Sequence, residues 1–477
     1  MSDGPHLLGF EGNAYETWLA RHLRESLCLE CDPGLVLCWG SPVPPDAQAA
    51  VCIPRDPKFL EKTDVCRRGV GETPPSVARD EALPVVRFSD DVISWMGWLI
   101  SRTEECEPFQ PDAHGRFPRS ASRMEALGLQ GQPVADLLVR SIRTAMEVVG
   151  QSAGLEVRHR MPWPEGKQFV VCLTHDVDLA TRRSVGQAVR ALAAAGTGLL
   201  RTDLLRFQVR MDQAWGFLAG GDRSPWWLFD AMAALEDRRG FRSAFYLLAS
   251  ESEIVTEGRQ RVRRYRLSRP EVLQKFRTLA GQGWEIGLHA GYDAHETNDG
   301  LGHEWRRLTG LLGPEVHCVG GRSHYLRFFT PRTWRQVASC GMRYDATVGW
   351  SKGWGFRSAT CWPYQPFDCI AGQSLPIREI GMHLMDTAMT TLDDMVSSTG
   401  ELLERVKQVG GCACLLFHPC APRWAPIRGA DFLRAYDTVL DMIAREGAWV
   451  ATPGELVQHL EALSNEGAPW PGLARIS

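Results

Sequence analysis

The amino-acid sequence predicts an α/β protein in which a barrel of about seven strands follows a smaller N-terminal α+β region. From residue 169 onward, short apolar runs alternate with helical patterns over about 290 residues, a rhythm that favours a closed barrel over an open sheet. Before residue 165, strand-like runs are separated by proline-rich connections instead. This change of rhythm divides the chain into two regions.

The N-terminal region spans residues 1–165. Strand-like runs at 35–39 and 50–53 are followed by the connections SPVPPDAQ and ETPPSVARDEALP. A helix is expected at the end of the region, because four apolar residues of PVADLLVRSIRTAMEVVG share one helical stripe. These residues are Leu137, Ile142, Met146 and Val149. The segment MPWPEGKQ predicts a linker, so we expect a barrel domain over 166–460 and a C-terminal tail over 461–477.

The barrel strands are expected at eight short apolar runs. They lie at 169–174, 241–248, 284–288, 316–320, 343–348, 376–380, 412–417 and 448–451. Helical patterns lie between them, for example SPWWLFDAMAALEDRRG and SRPEVLQKFRTLAGQG. Both patterns end in glycine, as helix C-termini often do, and Ser268 is a good N-cap for the second.

Composition excludes several classes of protein. The chain has 477 residues, 44% of them hydrophobic and 23% charged, which is typical of a globular protein with a substantial core. Its 53 lysines and arginines nearly balance 57 aspartates and glutamates, so we expect neither a nucleic-acid partner nor a membrane partner. The N-terminus lacks the pattern of a secretion signal, and the run AVRALAAAGTGLL is too short and glycine-rich to span a membrane. We therefore expect a cytoplasmic location.

Polar side chains follow five of the expected strands, at the point where each strand ends. In α/β barrels, catalytic groups cluster at this end of the strands. The residues are His175, Asp176 and Asp178; His289, Asp293 and His295; Arg322, His324, Tyr325 and Arg327; His383 and Asp386; and His418. The pattern predicts one active site at the barrel mouth.

The pair Asp176 and Asp178 indicates a metal. Two carboxylates at the end of a buried strand are unstable unless a cation or a shared proton relieves them. A divalent metal held by one acid and one or two histidines satisfies this requirement. His289 and Asp293 are four residues apart, which places both on one face if the segment starts a helical turn. Mixed nitrogen and oxygen ligands suit zinc, and also nickel, cobalt or iron.

Five motifs together resemble the polysaccharide deacetylase (NodB-homology) family of carbohydrate esterases, and in particular its members whose first motif reads THDVD. The motifs are LTHDVD, EIGLHAGY, GGRSHYLRF, GMRYDATVGW with GFRSATCWPYQPFD, and LLFHP, in the family's order over residues 166–460. The resemblance implies a distorted (β/α) barrel and a metal-dependent hydrolase that removes acetyl groups from N-acetylated amino sugars.

The resemblance also implies roles for single residues. Asp176 matches the general base, Arg322 the arginine that orients it, and His418 the histidine that protonates the leaving amine. Asp178 and His289 match metal ligands. The second histidine of the family's H-x-x-x-H motif is replaced here by Asp293, and His295 and His175 are alternatives for that position.

Tyr325 matches a position that faces the substrate, and we assign His324, Arg327 and Trp362 to substrate binding as well. Zinc is the metal we expect first. The expected substrate is a carbohydrate or a small amide. Two alternatives remain at this point: a hydrolase of another non-peptide C–N bond, and a carbohydrate-binding protein without catalysis.

Overall fold

The structure is a computed structural model. It describes residues 6–61, 77–80, 83–180, 183–220, 224–225, 227–250, 252–255, 260–263, 265–420 and 429–465.

The N-terminal region is built on a five-stranded sheet. Its strands run in the order β1-β3-β4-β6-β5, and all pairings are parallel except that of β5 with β6. A separate antiparallel pair, β2 with β7, ties the two ends of the region together. The bounds are β1 (His6–Leu8), β2 (Leu29–Cys31), β3 (Leu35–Trp39), β4 (Ala49–Ile53), β5 (Val77–Asp80), β6 (Leu83–Arg87) and β7 (Val157–His159).

Helices pack against this sheet. They are α1 (Ala14–Leu27), α2 (Val92–Ile100), α3 (Arg123–Ala126) and α4 (Val134–Ala153). Asn13 caps α1 by accepting a hydrogen bond from the backbone of Glu16. The expected helix at 133–150 is confirmed as α4, and all four residues of its predicted apolar stripe are buried.

Most of the remaining strands form the second sheet, and every pairing in that sheet is parallel. The remaining bounds are β8 (Val170–Val177), β9 (Ala244–Leu248), β10 (Ser252–Val255), β11 (Gln260–Arg263), β12 (Glu285–Ala290), β13 (Gly320–Ser323), β14 (Tyr344–Asp345), β15 (Phe367–Asp368), β16 (Gln373–Ser374), β17 (Arg378–Glu379), β18 (Met382–Met385), β19 (Cys412–Leu416) and β20 (Trp449–Val450).

Seven of these strands curl into a distorted barrel, in the order β14-β13-β12-β9-β8-β19-β18. The two ends of this row meet where Gly349, just beyond β14, bridges Met382 of β18. The backbone N–H of Met382 donates to the carbonyl of Val348 at 3.0 Å across the same seam. The short strands β17 and β20 pair in parallel with β14 and β8. The predicted α/β barrel is confirmed.

One strand differs from expectation. The run at 376–380 was predicted to be a barrel strand, but only Arg378–Glu379 is extended, and the ring uses Met382–Met385 instead. The ring strand begins directly after Gly381. The strand expected at 316–320 begins only at Gly320.

Helices connect the barrel strands. They are α5 (Val185–Leu200), α6 (Leu204–Ala219), α7 (Phe229–Asp237), α8 (Pro270–Gly281), α9 (Gly300–Leu312), α10 (Arg332–Ser339), α11 (Leu392–Val409), α12 (Gly429–Glu446) and α13 (Pro453–Asn465). Helix α8 has Arg269 rather than Ser268 at its N-cap, because Pro270 fixes the first helical position. Helix α13 covers the first five residues of the expected tail, 461–465, and the rest of that tail lies outside the described residues.

Buried polar contacts join the N-terminal region to the barrel. Glu25 of α1 forms an ion pair with Arg378 in the interior. Asp136 of α4 accepts hydrogen bonds from Thr360 and from the backbone of Cys361. Such contacts hold the two regions in a fixed relation, since breaking one would leave a charge buried without a partner. Within the described residues, no helix is long and apolar enough to cross a membrane.

Candidate active site

A cavity of about 380 Å³ lies at the carboxyl end of the barrel strands. Its walls come from the carboxyl ends of β8 and β12 and from the segments that follow β13, β14, β18 and β19, together with two residues of the N-terminal region. The lining includes His114, Arg116, Asp176, Asp178, Leu179, His289, His324, Tyr325, Lys352, Asp386 and His418. Of the strand-end residues singled out from the sequence, the structure brings seven to this cavity, namely Asp176, Asp178, His289, His324, Tyr325, Asp386 and His418.

Alternation along β8 decides which of its polar residues face the cavity. Asp176 and Asp178 are two residues apart, so both point to the barrel mouth. His175 comes one residue before Asp176, so its side chain points to the opposite side of the strand. Its Nδ1 is 2.9 Å from the carbonyl of Phe417, and its Nε2 is 2.8 Å from a carboxylate oxygen of Glu236. Because both ring nitrogens face oxygen acceptors in the core, the structure corrects the suggestion that His175 is a metal ligand.

Asp176 is fixed by a buried arginine. Nη1 of Arg322 donates to Oδ1 of Asp176 at 2.9 Å and to Oγ1 of Thr174 at the same distance. Nε of Arg322 donates to the carbonyl of Ala346. Burial raises the pKa of Asp176, but the charges of His289, Arg322 and His418 outweigh burial and hold this pKa below its ordinary value. Asp176 is therefore an oriented, ionised carboxylate.

Three side chains at the mouth could hold a metal ion. Single ligand atoms of Asp178, His289 and His324 all lie within 4.8 Å of one another. Oδ1 of Asp178 is 3.3 Å from Nε2 of His289 and 3.1 Å from Nε2 of His324. Among the described residues, these three are the acids, histidines or cysteines whose ligand atoms lie close enough together to share one metal ion. One carboxylate and two imidazoles form a typical set of three protein ligands for a catalytic zinc.

The hydrogen bonds around the cluster fit a metal. Nδ1 of His289 is 3.0 Å from the carbonyl of Arg322, so Nδ1 carries the proton and Nε2 presents a lone pair to the cluster. Nε2 of His289 and Oδ1 of Asp178 are buried, and neither forms a hydrogen bond within the described part of the chain. Buried polar atoms without a partner are costly, and a shared cation would satisfy both at once.

His324 reaches the cluster because of a tight turn after β13. The turn places Tyr325 and Leu326 in the left-handed region, at φ 59° and 53°. The imidazole of His324 then packs against that of His289, with ring centroids 4.8 Å apart. The sequence analysis assigns His324 to substrate binding, whereas the structure places its Nε2 in the candidate metal cluster.

Neither Asp293 nor His295 joins the cluster. His289 lies inside β12, which continues to Ala290, so the four-residue spacing to Asp293 does not follow a helical face. His295 is buried against Phe329, and burial lowers its pKa to about 3. The structure therefore corrects the expectation that one of these two residues completes the metal site.

His418 is held by Asp386, a strand-end carboxylate to which the sequence analysis gives no individual role. Oδ1 of Asp386 lies 2.7 Å from Nδ1 of His418, and Oδ2 accepts from the backbone N–H of His418 at 2.8 Å. Burial lowers the pKa of His418, but Asp386, Asp178 and Asp176 outweigh it and raise the pKa to about 10. The imidazole is therefore a cation whose Nε2, 4.0 Å from Asp178, points toward the cluster.

The predicted substrate-binding residues take different positions. Tyr325 lines the cavity and is partly exposed. Arg327 is buried behind it, where it donates to the carbonyls of His114 and Tyr292. Trp362 packs in the core with its ring centroid 5.2 Å from that of Trp163 and does not line the cavity. The structure thus corrects Trp362 and makes Arg327 a support for the cavity wall.

The N-terminal region contributes His114 and Arg116 to the cavity. Both lie in a turn closed by Asp112, which accepts from the backbone of each. Arg116 also donates to the carbonyl of Tyr325 at 2.6 Å. Sequence reasoning missed both residues, since a contact across more than two hundred positions leaves no local pattern. The compact DAHGR turn is the feature that marks the segment.

Comparisons with known proteins are limited. Residues 53–150 match the model of a family of unknown function (DUF7033). No curated protein matches the chain.

Several solved structures are similar to part of this chain. A protein from Mycobacterium smegmatis described as a polysaccharide deacetylase is 17% identical, with a TM-score of 0.41 over 63% of this chain and 93% of that one. Puue allantoinase is 14% identical, with a TM-score of 0.38 over 64% and 94%. A protein from Pseudomonas aeruginosa PAO1 described as a polysaccharide deacetylase is 13% identical, with a TM-score of 0.40 over 65% and 95%. Likeness at this level does not extend to function.

Proposed function

We propose that this protein is a metal-dependent amide hydrolase that releases acetate from an N-acetylated amino sugar. The observation that carries the proposal is the meeting of three kinds of group in one cavity. Asp178, His289 and His324 form a ligand set, Asp176 is a separately oriented carboxylate, and His418 is a cationic imidazole. The order of the five sequence motifs supports the same reaction.

The three ligands suit a divalent cation, with zinc first among the candidates because of its preference for mixed nitrogen and oxygen ligands. A divalent metal bound there would act as a Lewis acid, which polarises the amide carbonyl and makes water a better nucleophile at neutral pH. The chain contributes a fixed ligand geometry, since the carbonyl of Arg322 holds the ring of His289.

Asp176 acts as the general base in this proposal. One of its oxygens is occupied by Arg322, and the other lies 3.8 Å from Nε2 of His289, on the side of the ligand set. The free oxygen can therefore accept a proton from the attacking water. The low pKa of Asp176 keeps it ionised before the reaction, and Arg322 prevents it from rotating away.

His418 acts as the general acid. Asp386 orients the ring so that Nε2 faces the cavity. Because the raised pKa keeps the imidazole protonated, it can donate to the amide nitrogen as the C–N bond breaks. The base and the acid thus come from the carboxyl ends of two neighbouring strands, β8 and β19.

The cavity suits a substrate of the size of one sugar. Its volume of about 380 Å³ falls at the lower end of ordinary ligand sites. Tyr325 offers an aromatic face, and Arg116 and Lys352 offer hydrogen-bond donors to hydroxyl groups.

The proposal is tested with a panel of N-acetylated amino sugars and small cyclic amides, assayed for release of free amine or acid. We expect amine release from an acetylated sugar, loss of that activity with a chelator, and recovery on adding zinc. Hydrolysis of the cyclic amides alone would move the substrate class to other C–N bonds. Binding of sugars with no hydrolysis under any metal would contradict the proposed enzyme.

A further inference from the structure

The helices α5 and α6 form a hairpin inserted directly after the first motif. The backbone N–H of Ser184 donates to the carbonyl of Phe217 at the base of the hairpin, and that of Asp203 donates to Gly198 at its tip. The two helices are each other's main packing partners. The buried residues of α5 are all small, namely Ala188, Ala191, Ala195 and Gly198. Helix α6 buries Val209 and Phe217, but most of the large apolar side chains of the two helices are left on the outer faces.

Those outer faces are apolar. Thirteen large hydrophobic side chains are exposed in the described part of the chain, and all but Met161, Tyr325 and Ile370 lie on this hairpin. The ten are Val185, Val189, Leu192, Leu199, Leu200, Leu204, Leu205, Met211, Trp215 and Leu218. On each helix most of them recur at helical spacing along one stripe. Exposed apolar area concentrated in this way is typical of a binding surface.

The tip and the charges define what the surface binds. Leu200 is 87% exposed and Leu204 is 65% exposed, on either side of the turn between the helices. Residues 183–219 contain five arginines and two aspartates, a local charge of +3 in a chain whose formal charge is −4. The arginines are Arg183, Arg190, Arg201, Arg206 and Arg210.

We propose that this hairpin docks on an anionic lipid surface. The leucines of the tip and Trp215 would enter the boundary between headgroups and acyl chains, while the arginines contact lipid phosphates. Charge favours this occupant over a second copy of the chain. Two hairpins packed together would oppose one charge of +3 to another, whereas anionic headgroups neutralise it. Binding of this kind is peripheral and needs no spanning helix.

The position of the hairpin relates docking to the cavity. Helix α5 begins seven residues after Asp178, at the mouth end of β8, and Leu179 between them lines the cavity. The base of the hairpin therefore leaves the barrel at the same end as the candidate active site. Docking would hold this end of the protein near the lipid headgroups.

The test is co-sedimentation of the full chain with vesicles of phosphatidylcholine, with or without phosphatidylglycerol. We expect binding to the anionic vesicles at least about tenfold tighter than to the neutral ones, and weaker binding at high salt. Replacing Leu199, Leu200, Leu204 and Leu205 together by Ser should weaken binding at least about tenfold. Ile370→Ser is the matched control, since Ile370 is 71% exposed elsewhere and should have no effect.

A second set of variants tests the charge without touching the apolar residues. Changing Arg190, Arg201 or Arg206 to Gln should each weaken binding to anionic vesicles by about fivefold and leave binding to neutral vesicles unchanged. A wild-type protein that stays in the supernatant with both kinds of vesicle would overturn the proposal. So would a wild-type dimer, measured by light scattering, that the leucine variant converts to a monomer, because a second copy would then cover the surface.

Discussion

The barrel mouth and the α5–α6 hairpin follow each other directly in the sequence and depart from ordinary burial in opposite ways. At the mouth, Asp176 is buried as a carboxylate beside a second acid. On the hairpin, Leu200 and Trp215 are largely exposed. Both arrangements cost free energy in an isolated chain in water. Each therefore indicates a partner: a cation and a substrate at the mouth, and an apolar, anionic surface at the hairpin.

The two regions differ in whether other parts of the protein offset this cost in free energy. The acids of the mouth already have neighbours of opposite charge, namely Arg322 and His418. The leucines of the hairpin tip have no such compensation from the barrel. We expect changes at the mouth to affect chemistry, and changes at the tip to leave the folded protein almost unaffected.

The largest effect is expected for Asp176→Asn. Asparagine keeps the size of the side chain but cannot accept the proton of water, so kcat should fall by about 10³-fold while zinc remains bound. Enzyme assays and metal analysis of the same sample measure both. Asp293→Asn is the control, since Asp293 does not line the cavity. Wild-type activity in Asp176→Asn would show that another group is the base.

The two regions can be compared through the free energy of unfolding of two variants, each with one leucine replaced. Leu173 is fully buried in β8, so Leu173→Ala should lower the free energy of unfolding by about 3 kcal/mol. Leu200→Ala should change it by less than about 0.5 kcal/mol, because the side chain already faces water. Denaturant unfolding of both variants measures the difference. Equal losses would mean that the hairpin tip is part of the core.

Asp386→Asn should have a smaller effect than the loss of the base. Asparagine can still bond to the ring of His418 but does not stabilise its charge, so we expect kcat to fall by about 10- to 100-fold. The pH profile should also change, since the activity would be lost at a lower pH when the pKa of His418 falls. A fall in kcat with an unchanged profile would show that Asp386 acts only on structure.

A buried histidine outside the site gives the smallest effect. Neither ring nitrogen of His22 forms a hydrogen bond among the described residues, and burial lowers its pKa to about 4 from an ordinary 6.5. The folded protein therefore resists a proton that the unfolded chain takes up. Its contribution to stability is complete above pH 6.5 and is lost as the pH falls from there toward 4.

As the pH falls from about 6.5 to about 5, protonation of this residue in the unfolded chain should lower the free energy of unfolding by about 2 kcal/mol. His22→Leu should remove that part of the pH dependence, measured by denaturant unfolding at several pH values. His303→Leu, at an exposed position, should keep the wild-type dependence. An unchanged slope in His22→Leu would show that another group controls stability in this range.

Much of the site follows from the sequence because parallel strands end at the same edge. Asp176, Asp178, His289, Arg322 and His418 each come at the end of an apolar run, and the barrel brings those ends together. Spacing rules were less reliable. The four-residue spacing of His289 and Asp293 predicts a helical face, but β12 continues to Ala290 and directs the following residues elsewhere.

Other features depend on contacts that are distant in sequence. His324 reaches the candidate metal cluster through the left-handed turn at Tyr325, whose side chain gives no sign of that conformation. Arg116 reaches the cavity from another region of the chain. The hairpin has apolar stripes on more than one face, and sequence alone does not show which face is covered. The overall charge balance concealed its local excess of arginine.

Metal content of His324→Ala and His295→Ala tests the central claim most directly, because the two variants separate the candidate ligand in the cluster from the one that spacing predicts. Each purified variant is loaded with zinc, desalted and analysed by mass spectrometry for metal per chain. We predict about one zinc for wild type and for His295→Ala, and less than about one tenth for His324→Ala. Full zinc in His324→Ala together with its loss in His295→Ala would contradict the assignment.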